Sequence, residues 1–271
     1  MMNMKQTTAD LLETVRAASP LVHNITNFVV MNSTANIILA AGASPVMAHA
    51  PEEVEEMTGL ADALVLNIGT LQSDWVASMI LAGKAANRKG IPVVLDPVGA
   101  GATKFRTDTV KRIMHEVAVD VLRGNASEIF SLAWADIRTR GVDASLTVTP
   151  EMIHDAKILA EKLGCILAIS GPEDIVTDGH RLFRISNGHP LMTKVTGTGC
   201  GLSAVTGAFC AKAASGDLLS ATAAALGYYG LCGDLAARIS RKPGGFFTAF
   251  LDTLYSLSVQ DIEENLKVHS T

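Results

Sequence analysis

Residues 194–201 of this 271-residue chain read Lys-Val-Thr-Gly-Thr-Gly-Cys-Gly, and an apolar, helix-like stretch from Leu202 to Phe209 follows at once. Gly197, Gly199 and Gly201 permit a tight turn and a close approach of backbone to a ligand. A helix entered from such a turn offers free N–H groups and the positive end of its dipole, which suits an anion such as phosphate. Cys200 falls in the first turn, where a thiol pKa tends to drop. The segment reads either as a phosphate cradle with a polarised side chain or as a plain glycine-rich turn before a helix.

Other polar residues stand just beyond apolar runs. Asp96 follows Ile91–Leu95 and opens Asp-Pro-Val-Gly-Ala-Gly. A carboxylate there suits a magnesium or phosphate site, although a lone Asp-Pro is more often a turn or helix cap. Arg123 follows Val119–Leu122 and carries a planar fork that fits phosphate oxygens. Asn125 and Glu128, three apart, place two side-chain oxygens at a helix start, as a hydrated divalent cation or an ordinary capping pair would require. Ser170 follows Cys165–Ile169 and precedes Gly171-Pro172, where its hydroxyl can face a nucleotide. Met47 follows Pro45-Val46 and reads as the floor of an apolar pocket or as core. Asn27, just past Leu21–Ile25, reads as a contact to a polar ligand atom or as a helix cap. Neither GxxxxGK[ST] nor an early GxGxxG is present. A strand-end Asp, then Asn-x-x-Glu, then Gly-x-Gly suggests a phosphoryl transferase whose anion hole is a helix start late in the chain.

Such residues need a frame, and the pattern supplies one. Helices are expected over Thr7–Ala18, with Thr7 and Asp10 as a capping pair, over Asn27–Ala41, from Pro51, over Ser73–Lys89 and Phe105–Val117, and from Thr149-Pro150 to Leu163. Strands are expected at Leu21–Ile25, Pro45–Ala48, Ala63–Ile68, Ile91–Leu95, Val119–Leu122 and Cys165–Ile169. A hairpin, Ile175–Thr177 with Arg181–Ile185, turns at Asp178-Gly179. Helices over 202–214, 217–239 and 246–258 complete the chain. Short apolar strands alternating with helices imply a parallel α/β sheet, and ligands bind beyond the carboxyl ends of such strands. With no linker or charge run, residues 1–271 read as one domain. Ser131–Ser145 gives no clear pattern, and its Trp134 fits core or interface.

Composition narrows the function classes. Hydrophobic residues make up 48% and charged residues 18%, with a mean hydropathy of +0.30. A formal net charge of −5 leaves no basic footprint for nucleic acid or for a membrane surface. No apolar run reaches the roughly 18 residues of a membrane span, and Met1–Asp10 lacks a signal-peptide pattern. Cys165, Cys200, Cys210 and Cys232 show neither CxxC pairing nor zinc spacing, and the seven histidines form no HExxH. These features point to a cytoplasmic chain with free thiols.

Six segments together carry a resemblance. They are Pro20-Leu-Val-His-Asn-Ile-Thr-Asn27, Gly42-Ala-Ser-Pro-Val-Met-Ala48, Leu66-Asn-Ile-Gly-Thr-Leu71, Leu95-Asp-Pro-Val-Gly-Ala-Gly-Ala102, Arg123-Gly-Asn-Ala-Ser-Glu128 and Thr193-Lys-Val-Thr-Gly-Thr-Gly-Cys200. The chain resembles the hydroxyethylthiazole kinase family of the ribokinase-like superfamily from about Pro20 to Asp261. Most of that superfamily has aspartate, as catalytic base, where this chain has Cys200. The resemblance implies a three-layer α/β/α fold with a mostly parallel sheet. It implies ATP- and Mg²⁺-dependent phosphorylation of the hydroxyl of 4-methyl-5-(2-hydroxyethyl)thiazole for thiamine phosphate synthesis, in a homotrimer with active sites between subunits. It places Met47, Gly197 and Asn27 at the substrate; Arg123, Ser170, Gly199 and Asn125 at ATP; and Asp96 and Glu128 at magnesium. Cys200 would meet the substrate hydroxyl as catalytic residue. A hydroxymethylpyrimidine kinase would keep Gly-x-Gly-Asp. A non-catalytic thiazole or nucleotide sensor would be expected to lose Asp96, Glu128 or the glycines.

Overall fold

Runs such as Ala63-Leu-Val-Leu66 are apolar throughout because their strands lie between two layers of helices and bury both faces. The computed structural model of the chain describes residues 3–133, 148–213 and 216–270. Helix α1 (Met4–Ala18) leads to β1 (Leu21–Ile25), α2 (Met31–Ala41), β2 (Ser44–Val46), α3 (Val54–Leu60), β3 (Ala63–Asn67), α4 (Ser73–Lys89) and β4 (Val93–Asp96). Next come α5 (Lys104–Glu116), β5 (Val121–Asn125), the short α6 (Ala126–Phe130), α7 (Pro150–Leu163) and β6 (Ile166–Ser170). The hairpin β7 (Asp174–Thr177) and β8 (Leu182–Ile185) precedes a 3₁₀ turn (Pro190–Lys194). Helices α8 (Thr198–Cys210), α9 (Leu218–Ile239), α10 (Pro243–Ser256) and α11 (Val259–Asn265) then lead to β9 (Val268–Ser270).

The strands of the described residues form one sheet in the order β2-β1-β3-β4-β5-β6-β7-β8-β9. Pairing is parallel from β2 to β6 and antiparallel from β6 to β9. Alternate residues feed opposite layers. Val65, Val94, Val121 and Ala168 pack with α1, α8, α9 and α10, while Leu66, Leu95, Leu122 and Leu167 pack with α4, α5 and α7. The result is a three-layer α/β/α frame. No helix among the described residues is long and apolar enough to cross a membrane.

Several boundaries differ from the sequence reading. Helix α1 starts at Met4, because Asn3, not Thr7, accepts the Lys5 and Gln6 amides. Residues 27–30 form a turn before α2, so the expected helix from Asn27 is shortened. Strands β4, β5 and β6 end one to three residues later than expected, because parallel hydrogen bonding continues through the polar residues. Helix α8 begins at Thr198 rather than Leu202, since its glycines accept helical geometry. Helix α11 and strand β9 have no counterpart in the sequence reading, and α6 appears there only as a helix start at Asn125. Most of the unread stretch at Ser131–Ser145, including Trp134, lies outside the described residues.

Candidate active site

Strand register assembles the site. Asn67 is level with Asp96 across β3 and β4, and Asn125 is level with Ser170 across β5 and β6. Each of these four strands therefore ends on a polar residue, and the four stand along one sheet edge. The parallel ladder brings to this edge residues that lie far apart in sequence.

Helix α8 starts beside that row. Gly197 is its N-cap at φ +88°, a left-handed conformation that favours glycine. No side chain caps this end. The first helical bond joins the Gly201 N–H to the Gly197 carbonyl at 2.8 Å. The amides of Thr198, Gly199 and Cys200 thus have no backbone acceptor among the described residues. Tyr229, fully buried, donates its hydroxyl to the Thr198 carbonyl at 2.8 Å and fixes the first turn from behind. Thr198 turns its own hydroxyl back to the Met192 carbonyl, 2.8 Å away, which makes it a structural tie.

Arg123 connects three elements. Its Nη1 donates to the Gly199 carbonyl at 3.0 Å, and its Nη2 donates to Ser170 Oγ at 2.7 Å. Nη1 also lies 3.9 Å from Asp96 Oδ2. Arg123 Nε is buried without a partner, a donor left over beside a helix start already rich in free donors. Such a set matches the oxygens of a phosphate chain.

Asp96 is 1% exposed. Its Oδ2 accepts from Asn67 Nδ2 at 2.9 Å and from Ser203 Oγ at 2.7 Å. Burial pushes its pKa up from 3.8 to about 6, against the opposing pull of Arg123 and Ser203. Asn67 Oδ1 in turn accepts from Asn27 Nδ2 at 2.8 Å, and Asn27 Nδ2 lies 3.5 Å from Cys200 Sγ. A continuous polar chain therefore runs Ser203–Asp96–Asn67–Asn27–Cys200.

This chain corrects one expectation. The Cys200 thiol does not have a depressed pKa; it is pushed up to about 11. Burial is the main cause and the nearby Asp96 carboxylate adds to it. Both disfavour a thiolate, and they outweigh the opposing hydrogen bonds from Asn67 and Asn27 and the charge of Arg123.

Asn125 and Glu128 form a capping box: the Glu128 amide donates to Asn125 Oδ1 at 3.0 Å, and the Asn125 amide to Glu128 Oε2 at 2.9 Å. Glu128 Oε1 also accepts the Gly99 amide at 2.9 Å, which ties the turn after β4 to α6. The Asn125 side-chain oxygen is thus held by the helix cap. No group of three or more His, Cys, Asp or Glu residues that could hold a metal occurs among the described residues. Asp96 Oδ1 accepts no bond among them. Two carboxylates with unused lone pairs fit a cation that keeps most of its water, as Mg²⁺ does, rather than a dehydrated cage.

Met47 stands apart from this cluster, one residue beyond edge strand β2, and packs against the α8–α9 side of the core. Asn67, Ser203 and Tyr229 are site residues that the sequence reading missed. Asn67 had a signal, since it is the one polar residue in the apolar run 63–68. Ser203 and Tyr229 sit inside apolar helices and become legible only once the helices are packed.

The frame is a mostly parallel sheet between two layers of helices, with the uncapped start of α8 at its carboxyl edge. The same frame occurs in a ribokinase-like superfamily protein from Enterococcus faecalis V583, with a TM-score of 0.67 at 14% identity over 93% of this chain and 95% of that one. The profile of the hydroxyethylthiazole kinase family matches residues 12–260, and the chain belongs to that family. It is 52% identical over 268 residues to a hydroxyethylthiazole kinase of Desulfotalea psychrophila, covering 99% of this chain and 97% of the relative. It also superposes on the structure of a hydroxyethylthiazole kinase protein from Pyrococcus horikoshii OT3 with a TM-score of 0.90, at 45% identity over 98% of this chain and 99% of that one.

Proposed function

We propose that this protein transfers the γ-phosphoryl group of ATP to the hydroxyl of 4-methyl-5-(2-hydroxyethyl)thiazole, in thiamine biosynthesis or salvage. The observation that carries this reading is the α8 start, where free amides, the Arg123 fork and Cys200 converge beside Asp96 in a chain of this family. The phosphates lie against the amides of Thr198, Gly199 and Cys200, with Arg123 Nε as a further donor and the Ser170 hydroxyl alongside. Asn125, level with Ser170 across β5 and β6, belongs to the same nucleotide end. Phosphoryl transfer proceeds through a loose transition state, and fixed donors stabilise the charge on the equatorial oxygens. Asp96 and Glu128 would hold a hydrated Mg²⁺, which supplies charge neutralisation across the phosphates when bound. A cavity of about 610 Å³ is walled by Leu191 and Lys194 of the 3₁₀ turn and by Leu231 and Arg238 of α9. The turn runs directly into Gly197, so this cavity suits the base and ribose of the nucleotide.

The thiazole ring rests against Met47, and its hydroxyl points to Asn27, Gly197 and Cys200. Cys200 accepts the hydroxyl proton as the minority thiolate. We extend the reading to a cytoplasmic homotrimer in which a neighbouring subunit closes the site. The large apolar side chains of Phe28 and Val29, 54% and 70% exposed beside Asn27, support that closure.

The deciding experiment measures ADP release with ATP and Mg²⁺, adding hydroxyethylthiazole or hydroxymethylpyrimidine. Thiazole-dependent release with a phosphorylated thiazole product is expected. Release with the pyrimidine alone, or with neither, overturns the assignment. The raised thiol pKa yields a second expected result. At saturating substrates kcat rises by about tenfold per pH unit between pH 7 and 9, as the thiolate fraction does below its pKa. Cys200→Asp, already ionised, retains activity and loses that slope. A wild-type profile flat over this range excludes Cys200 as the proton acceptor.

A further inference from the structure

His23, on β1, is fully buried and takes no part in the chain of contacts around Asp96. Its Nε2 lies 2.7 Å from the Ala48 carbonyl, and its Nδ1 lies 2.9 Å from Thr58 Oγ1 of α3. A carbonyl only accepts, so Nε2 carries a hydrogen. Burial, the leading influence on this ring, favours its neutral form. Nδ1 then accepts the Thr58 hydroxyl hydrogen, for which the Val54 carbonyl, 2.7 Å away, also competes. One tautomer is thereby selected by partners on both sides.

The Ala48 carbonyl needs this partner for a topological reason. Edge strand β2 ends at Val46, where it is level with His23 on β1. Residues 47–50 continue past the last rung of the ladder and must find acceptors and donors elsewhere. His23 reaches from the adjacent strand and pins the first of those peptides after Met47. A second tie follows immediately. The ring of His49 packs against Trp75 with centroids 4.4 Å apart, and Trp75 against Phe28 at 4.6 Å, both pairs tilted by 45°. The loop bearing Met47 is thereby joined to the turn bearing Asn27.

We propose that His23 is a positioning residue for the thiazole pocket: its Nε2–H, bonded to the Ala48 carbonyl, fixes the loop that presents Met47. This rests on the assignment of Met47 to the thiazole. His23 touches neither reactant. Its loss should loosen the alcohol's pocket and leave the nucleotide end, built on α8 and β4 to β6, unchanged.

His23→Leu keeps an apolar side chain of similar bulk and removes the donor. The expected result is a KM for hydroxyethylthiazole raised about tenfold, with the KM for ATP and kcat within about twofold of wild type. His23→Gln places an amide N–H near the position of Nε2 and should recover most of the lost affinity. Thr58→Val keeps volume and removes only the hydroxyl behind the ring; it should raise the same KM by a smaller factor. Amide exchange at residues 47–50 should speed up in His23→Leu and be restored in His23→Gln. An unchanged thiazole KM in folded His23→Leu overturns the proposal, as does an equal rise in both KM values that His23→Gln does not relieve. If His23→Leu does not fold, Thr58→Val with unaltered thiazole KM and unaltered exchange at 47–50 overturns it as well. Wild-type enzyme without thiazole-dependent turnover sinks the functional reading instead. In that case the exchange data alone decide whether His23 holds the loop.

Discussion

Gly197→Val is expected to abolish most turnover, lowering kcat on the order of 10³-fold, while the protein stays folded. Gly197 sits at φ +88°, where a β-branched residue is strained. A Cβ built there would lie 2.8 Å from Ser33 Oγ and 3.2 Å from Val30 Cγ1. The oxygen is the tip of a side chain and can rotate, but Val30 is buried against the same turn. The backbone must therefore shift, and it carries the amides of Thr198, Gly199 and Cys200 with it. These donors act only if they are aimed at developing charge, and one misplaced donor costs roughly 10²- to 10³-fold in rate. Steady-state kinetics beside a far-UV circular dichroism spectrum checks this. Turnover within about twofold of wild type, in a folded variant, would place the phosphate somewhere other than the α8 start. Ala at 197 meets the same φ and the same Ser33 oxygen, so it should be damaged too, but less.

What the sequence disclosed and what it hid follow from the range of the interactions. The helix–strand alternation was readable because burial on both faces writes itself into local runs such as Ile166-Leu-Ala-Ile169. Asp96, Arg123, Asn125, Ser170 and Gly197 were readable because polar residues stand out against such runs. The structure does bring them to one edge. Register was not readable. That Asn67 is level with Asp96, and Asn125 with Ser170, depends on pairing between strands about 30 to 45 residues apart. Ser203 illustrates the limit: in sequence it is a small residue in an apolar helix, yet it places a hydroxyl on Asp96 from the helical layer that covers that face of the sheet. The Cys200 thiol was misjudged for the same reason. The helix start is the local feature that suggests a lowered thiol pKa; burial and the Asp96 carboxylate are tertiary and raise it. The capping alternative for Asn125 and Glu128 was also visible in their spacing, and the cap formed. His23 had no local signature either, since its partners are a carbonyl 25 residues away and a hydroxyl 35 residues away.

Asp96→Asn separates what the carboxylate does for the fold from what it does for the reaction. Oδ2 accepts both hydrogen bonds, from Asn67 and Ser203, and Oδ1 accepts none among the described residues. An asparagine with its oxygen at the Oδ2 position keeps both contacts and removes only the charge. The folded pKa is raised from 3.8 to about 6, so the native state binds this proton more tightly than the unfolded chain does. The corresponding stability is fully present below pH 3.8 and is lost as pH rises through about 6. At pH 7 the buried charge therefore costs roughly 2–3 kcal/mol, and the asparagine variant escapes that cost. In EDTA, Asp96→Asn should melt several degrees above wild type at pH 7, and the gap should narrow as the pH is lowered towards 4. With Mg²⁺ and both substrates, its kcat should fall on the order of 10²-fold or more, because a neutral amide neither neutralises a cation nor steadies Arg123. A variant that gains stability and keeps its turnover would remove Asp96 from the magnesium and phosphate site. A variant that gains stability and loses turnover shows that the charge is held in the core for the reaction, against the preference of the fold.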